Sequence, residues 1–442
     1  MRSLELFIAG QWRQGGGQPR PVLNPATEQP VAQLATADAG DLDAALAAAA
    51  AALPGWTRTP ALLRGEVLAR AAALLRERVG QLARELTEEN GKTLAESTGE
   101  IGRAIETLGW CAEEAGRIEG RIIAGRAPGQ RRSLVPQPAG VVPASPAWNS
   151  PAVLVARKLG AALAAGCSVV IKAAEEAPGI AIGIARALAD AGLPPGTVNL
   201  VFGDPPAISR HLLASPIVRK LTFTGSTAVG KELARLAADD LKRCTFELGG
   251  PAPVIVAPDA DLELALAGTL AGKFGTARQG SEQGVKVGPL ANPRRLAAME
   301  RLTADALAHG ARLVTGGKRL PRSGWFFPPT VLAEVPEAAA VMNEEPFGPI
   351  AALAPVADLD EAYARANRLP YGFAAYLFTG ALKTAAEAVE RFKAGNIGVN
   401  QMAPSLPDAP VGGLGDSGYG YEGGREGMAE FLHWRLVNQA AV

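Results

Sequence analysis

Apolar and polar positions fall along this chain in two kinds of block. Between Asp41 and Leu53, alanine and leucine recur at helical spacing, with Asp41 as a cap and Pro54-Gly55 as a stop, so the pattern predicts a helix over 41–53. A second helical period runs from Arg64 to Leu86 and stops at Glu88-Glu89-Asn90-Gly91; a third runs from Ala104 to Arg117. From Val153 to Gly230 the character changes. Apolar runs of strand length, such as Ser168 to Ile171 and Lys220 to Phe223, alternate with helical stretches such as Gly179 to Ala191 and Pro205 to Ala214. That alternation predicts a parallel sheet, because parallel strands need a crossover that is usually a helix. The apolar region from Pro151 to Ile171 is broken by Arg157-Lys158 and two glycines, so it reads as helix then strand and not as a membrane span.

Composition narrows the class further. A chain of 442 residues with 48% apolar content can bury two domain cores. Its 44 basic and 44 acidic residues balance, which gives no reason to expect nucleic acid or an anionic membrane as partner. The stretch Met1 to Phe7, interrupted by Glu5, has too short an apolar run for a signal peptide, and the cytoplasm is the expected compartment. Three unpatterned cysteines exclude a disulfide framework or a zinc site, and no metal is expected. His211, His309 and His433 stand apart in expected helices or helix ends, without a catalytic or metal-binding spacing.

Several short segments carry candidate chemistry. Thr245-Phe246-Glu247-Leu248-Gly249-Gly250 sets a carboxylate at the end of an apolar run, ahead of glycines that end any regular element. Lys220 to Lys231 reads as a strand, a turn at Gly225-Ser226 and a helix start, which suits a phosphate and equally an ordinary strand-to-helix turn. Lys172 and Glu175 end a buried-type strand. They fit a ribose diol, or two solvated charges. Asn149 lies in the stiff loop Pro146 to Pro151, beside Trp148, and Glu344-Glu345-Pro346-Phe347-Gly348 forms another Pro/Gly loop.

In order and approximate spacing these motifs resemble the NAD(P)-dependent aldehyde dehydrogenase superfamily, over essentially the whole chain from Phe7 to Trp12 through Pro410 to Gly420. The resemblance implies an α/β fold with a Rossmann-type cofactor domain over 1–118 and 141–249. It also implies an α/β catalytic domain over 250–426, truncated near 281–287, and a β-hairpin oligomerisation arm over 119–140 and 427–442. Asn149 matches the oxyanion-hole asparagine and Glu247 the base that activates water. Lys172 and Glu175 match the adenosine-ribose pair, Gly225 and Ser226 the pyrophosphate turn, Glu345 and Phe347 the nicotinamide end; Trp148 and Gly203 join the cofactor contacts. A homodimer or homotetramer acting on a small aldehyde is implied, similar to relatives that take semialdehydes or aromatic aldehydes.

One position departs from the family. Where relatives carry a nucleophilic cysteine, the segment Lys273 to Ser281 has none. One alignment sets Ser281 there, with Gln279 in register; another leaves the position deleted. The chain then reaches Val287-Gly288-Pro289-Leu290 without a strand and helix that would occupy roughly 25 residues. Cys111, Cys167 and Cys244 do not substitute, being expected in a helix, before a buried strand, and on the face opposite Glu247. Two classes of function follow: NAD-dependent oxidation of an aldehyde to a carboxylic acid, or a catalytically impaired cofactor-binding paralogue or subunit. The carboxylate of Glu175 favours NAD over NADP, since a 2′-phosphate beside it meets like charge.

Overall fold

Eight strands form the sheet that organises the first half of the molecule, in a computed structural model that describes residues 1–275, 287–402 and 405–440. Five of them are parallel, lying side by side in the order Arg243–Leu248, Lys220–Gly225, Val141–Ser145, Ser168–Lys172, Val198–Val201. Antiparallel strands close the edges: Gly418–Tyr419 beside Arg243–Leu248, and the hairpin Leu6–Ile8 and Gln11–Arg13 beside Val198–Val201. The chain starts the parallel part of this sheet at Val141–Ser145, builds outward to one side, then returns and builds to the other. At such a reversal the crossover helices diverge, and a crevice opens outside the carboxyl ends of the strands.

Why these segments take these forms follows from burial. Every residue of Ser168–Lys172 and of the helix Pro151–Ala165 is buried, Arg157 and Lys158 included. Helices Pro178–Asp190, Pro205–Ala214 and Thr227–Ala238 complete the crossovers.

Three helical expectations are corrected at their ends. The first helix spans Ala39–Arg58, capped by Asp38 with Asp41 closing a capping box from its third position. It runs through Pro54, whose ring costs one backbone bond there, while Trp56 anchors the last turn by donating its indole N–H to the Leu163 carbonyl at 3.1 Å. The second helix spans Ala61–Asn90 and ends at Gly91 with φ +83°, the left-handed position a glycine fills best. The polar run before that glycine stays helical because Glu89 is buried and held by Arg2 and the Gly179 N–H. The third helix begins at Leu94 behind a Thr93–Glu96 capping box and ends at Ala115. His433, expected in a helix, lies on a strand.

The second half holds two smaller three-stranded sheets, each with its own core. Val254–Val256, Ala374–Phe378 and Asn396–Val399 are parallel and pack around Leu377 and Phe392. Arg312–Thr315, Thr330–Ala333 and Ile350–Ala352 pack around Met299 and Leu332. A separate antiparallel arm joins Arg121–Ile123, Arg131–Pro138 and Leu432–Gln439, paired from Leu432 with Pro138 to Gln439 with Arg131. Among the described residues, no helix is long and apolar enough to cross a membrane.

Candidate active site

Residues named from the sequence converge on one edge of the large sheet. Trp148 and Asn149 follow Val141–Ser145, Glu175 follows Ser168–Lys172, Gly203 follows Val198–Val201, Ser226 follows Lys220–Gly225, and Glu247 lies one residue from the end of Arg243–Leu248. All are carboxyl ends of parallel strands, where an open α/β sheet places its ligands.

The Trp148-Asn149 loop is held from outside its own strand. Asn90 Nδ2 donates to the Trp148 carbonyl at 2.9 Å, and Lys92 Nζ donates to the Asn149 carbonyl. Trp148 stands edge-on to Phe347, ring centroids 5.3 Å apart. The Asn149 Oδ1 atom is buried without a partner. A cavity of about 460 Å³ brings together Trp148, Asn149 and Phe347, with Lys92, Lys273 and Arg295 on its wall.

Glu247 keeps part of its surface, yet its carboxylate is desolvated. Burial is the main cause that pushes its pKa above the ordinary carboxylate range; the nearby Glu422 charge adds to this, while Lys158, Arg157 and the Thr224 hydroxyl oppose it. Thr224 Oγ1 donates to Glu247 Oε2 at 2.9 Å. Glu422 is buried and bonded to Lys158 Nζ, which also donates to Thr222 Oγ1 at 3.2 Å. A carboxylate raised in this way is suited to accept a proton near neutral pH.

At the ends of two neighbouring parallel strands, Lys172 Nζ donates to Glu175 Oε2 at 2.6 Å, and the Gly203 N–H donates to Glu175 Oε1 at 3.0 Å. Gly203 has φ +142°, a conformation that side chains other than hydrogen rarely take. Both oxygens of the carboxylate are thus held in place. Ser226 caps the helix Thr227–Ala238, its hydroxyl accepting from the Val229 N–H, so the helix starts directly after Gly225 at the carboxyl end of its strand. Glu345 lies apart from this pair. Its Oε2 accepts from the Gly250 N–H at 3.1 Å, so it is bonded to the turn that follows Glu247, and burial raises its pKa. Phe347 has φ +44° and packs under Arg295, 5.7 Å from the ring centroid.

Ser281 lies outside the described residues. The cysteines are all accounted for elsewhere. Cys111 and Cys167 are buried, and desolvation pushes their thiols up to about 12 and about 11. Cys244 and Glu247, three residues apart on one strand, project to opposite faces. Sequence reasoning missed Arg157, Lys158, Glu422, Lys92 and Glu100. The only signal was the pair of charges, Arg157-Lys158, inside an otherwise apolar helix.

The sequence profile of the Aldehyde dehydrogenase family matches residues 12–280 and 276–437. The chain is 44% identical to the 4-(hydroxymethyl)benzenesulfonate dehydrogenase of Comamonas testosteroni, over 100% of this chain and 99% of that protein. It is 38% identical to the succinate-semialdehyde dehydrogenase [NADP(+)] of Escherichia coli strain K12, over 98% of this chain and 97% of the relative. The solved succinate-semialdehyde dehydrogenase from Burkholderia pseudomallei superposes with a TM-score of 0.97 at 37% identity, covering 99% of this chain and 98% of that one. The strand-end constellation and these full-length likenesses agree: this chain belongs to the aldehyde dehydrogenase family of oxidoreductases.

Proposed function

We propose that the protein oxidises an aldehyde bearing an anionic group to its carboxylic acid, with NAD as hydride acceptor. The observation that carries the substrate class is Arg157. It is buried about two helix turns beyond the Asn149 loop, its guanidinium bonds to Ser405 Oγ, its Nε has no partner, and its charge acts on Glu247. A buried cation with a donor to spare suits a sulfonate or carboxylate. The relatives' names include a benzenesulfonate and a semialdehyde of a dicarboxylic acid.

When bound, the nicotinamide supplies the hydride acceptor. Asn149 Nδ2 donates to the oxygen that gains charge as a nucleophile adds to the aldehyde, and Glu247 accepts a proton from the water that releases the acid. Lys172, Glu175 and Gly203 hold the adenosine ribose, Gly225 and Ser226 the pyrophosphate, and Trp148, Glu345 and Phe347 the nicotinamide end. The domain ranges 1–118 with 141–249, 250–426, and the arm 119–140 with 427–442 belong to this reading. So do a dimer or tetramer joined through the arm and a cytoplasmic setting.

A second reading, an impaired relative, rests on its own observation. In the helix Leu262–Phe274, Leu262, Leu266 and Leu270 are 70%, 60% and 47% exposed, and the family profile matches in two pieces that meet at 276–280. An apolar helix face left in water is what a lost covering element leaves behind. With Ser281 as nucleophile, no thiolate serves, and loss of a nucleophile costs on the order of 10⁶ in rate.

Steady-state NADH formation from a sulfonated aromatic aldehyde, a semialdehyde and a neutral aliphatic aldehyde decides between them. Turnover of the anionic aldehydes, lost in Arg157→Met and in Ser281→Ala, supports the active reading. No turnover by the unmodified chain refutes it and supports the second. Ser281→Cys alone then recovers little, because a thiol without its supporting elements is misplaced.

A further inference from the structure

Asn149 sits in a loop that its own helix does not secure. Ser150 is the N-terminal cap of Pro151–Ala165 and makes no side-chain bond to it, so the first amides of that helix need a partner from elsewhere. Glu100 supplies one. Its Oε1 accepts from the Ala152 N–H at 2.8 Å, and its Oε2 accepts from Lys92 Nζ, which donates a second of its hydrogens to the Asn149 carbonyl. The pair thus grips the backbone on both sides of Ser150-Pro151. Glu100 is 1% exposed, and Lys92 lies between Gly91, fixed in the left-handed conformation, and Thr93, fixed by its capping box. Both ends of the grip are therefore rigid. With its backbone held at two points, the Asn149 carboxamide has only its own side-chain torsions left to sample.

We propose that Lys92 and Glu100 are positioning residues for the Asn149 carboxamide, acting through the backbone of residues 149–152. The catalytic part of this inference rests on the reading of Asn149 as oxyanion donor; the positioning part does not. An amide donor is effective only where the charge develops, and a displacement of about 1 Å costs about a hundredfold in rate.

The test is the double variant Lys92→Met/Glu100→Leu, which replaces a part-buried ion pair with apolar groups of similar volume and strands neither charge. Hydrogen exchange followed by mass spectrometry reads the Ala152 amide in peptides spanning 148–153, with the helix Ala61–Asn90 as internal control. We expect exchange at 148–153 to rise about tenfold while the control is unchanged, the free-energy loss being that of one net hydrogen bond. Unchanged exchange at 148–153 overturns the proposal. In turnover, kcat falls about ten- to a hundredfold with KM and the NAD dissociation constant nearly unchanged, and adding Asn149→Ala costs little more. Losses that multiply with Asn149→Ala overturn the catalytic part. If the unmodified chain shows no turnover, the functional reading fails and the exchange comparison still decides the positioning. Should the double variant not fold, Glu100→Gln, which weakens the acceptor at Ala152 from carboxylate to amide, gives a smaller rise; no rise overturns the proposal.

Discussion

In the proposed reading, cofactor choice turns on one carboxylate, that of Glu175, and the geometry around it sets the size of the effect. Both oxygens are engaged, Oε2 by Lys172 and Oε1 by the Gly203 N–H, so the group cannot swing away from a ligand without breaking two bonds. Its side chain is 21% exposed. A 2′-phosphate oxygen about 4 Å away meets roughly 4 kcal/mol of repulsion per unit charge at an effective dielectric of about 20. Lys172 cancels part of that field and solvent screens more, leaving about 2 kcal/mol, a factor of roughly thirty in dissociation constant. Glu175→Gln removes the charge and keeps an acceptor for the Gly203 N–H. Titration calorimetry of NAD and NADP on the unmodified chain should show NAD tighter by about thirtyfold, and the ratio should shrink by about tenfold or more in the variant. Tighter NADP binding by the unmodified chain, or a ratio that Glu175→Gln leaves in place, refutes the reasoning. The outcome is informative because the relative from E. coli is named for NADP(+).

Two further predictions concern buried charge. Lys158→Met leaves Glu422 buried without its cation and should destabilise the fold by about 3–5 kcal/mol, whereas Lys158→Met/Glu422→Gln should recover most of the loss; equal melting temperatures for the two variants would count against a coupled pair. Burial raises the Glu89 pKa from 4.5 to about 7, so the folded chain holds that proton more tightly than the unfolded one. This contribution to stability is complete below about 4.5 and is lost as pH rises through about 7, a change of roughly 3 kcal/mol. Thermal melts across that window should therefore decline more steeply for the unmodified chain than for Glu89→Gln; parallel curves would exclude the assignment.

What the sequence determined by itself was local and ordinal. The alternation from Val153 to Gly230 dictated a parallel sheet because strand-length apolar runs separated by helical ones admit little else. Asn149, Glu175, Gly203 and Ser226 could be singled out as candidates because each sits where Gly, Pro, Ser or charge interrupts an apolar run, and Glu247 because it is a lone carboxylate near the end of such a run. The absence of cysteine from Lys273 to Ser281 was equally plain, since the three cysteines of the chain are Cys111, Cys167 and Cys244. Helix ends were legible only in part: Asp41 and Pro54 looked like boundaries, but a cap is defined by which backbone N–H it reaches, and a proline is tolerated where a neighbour such as Trp56 anchors the next turn. Tertiary structure alone decided the partners. Glu422 is 264 residues from Lys158 and Glu100 is 52 from Ala152, and no periodicity in a sequence reports contacts made by side chains that the fold brings together. It also decided protonation, because the pKa of Glu247 depends on burial and on the charges of Glu422, Lys158 and Arg157, which converge only when the sheet, its first crossover helix and the C-terminal segment have packed.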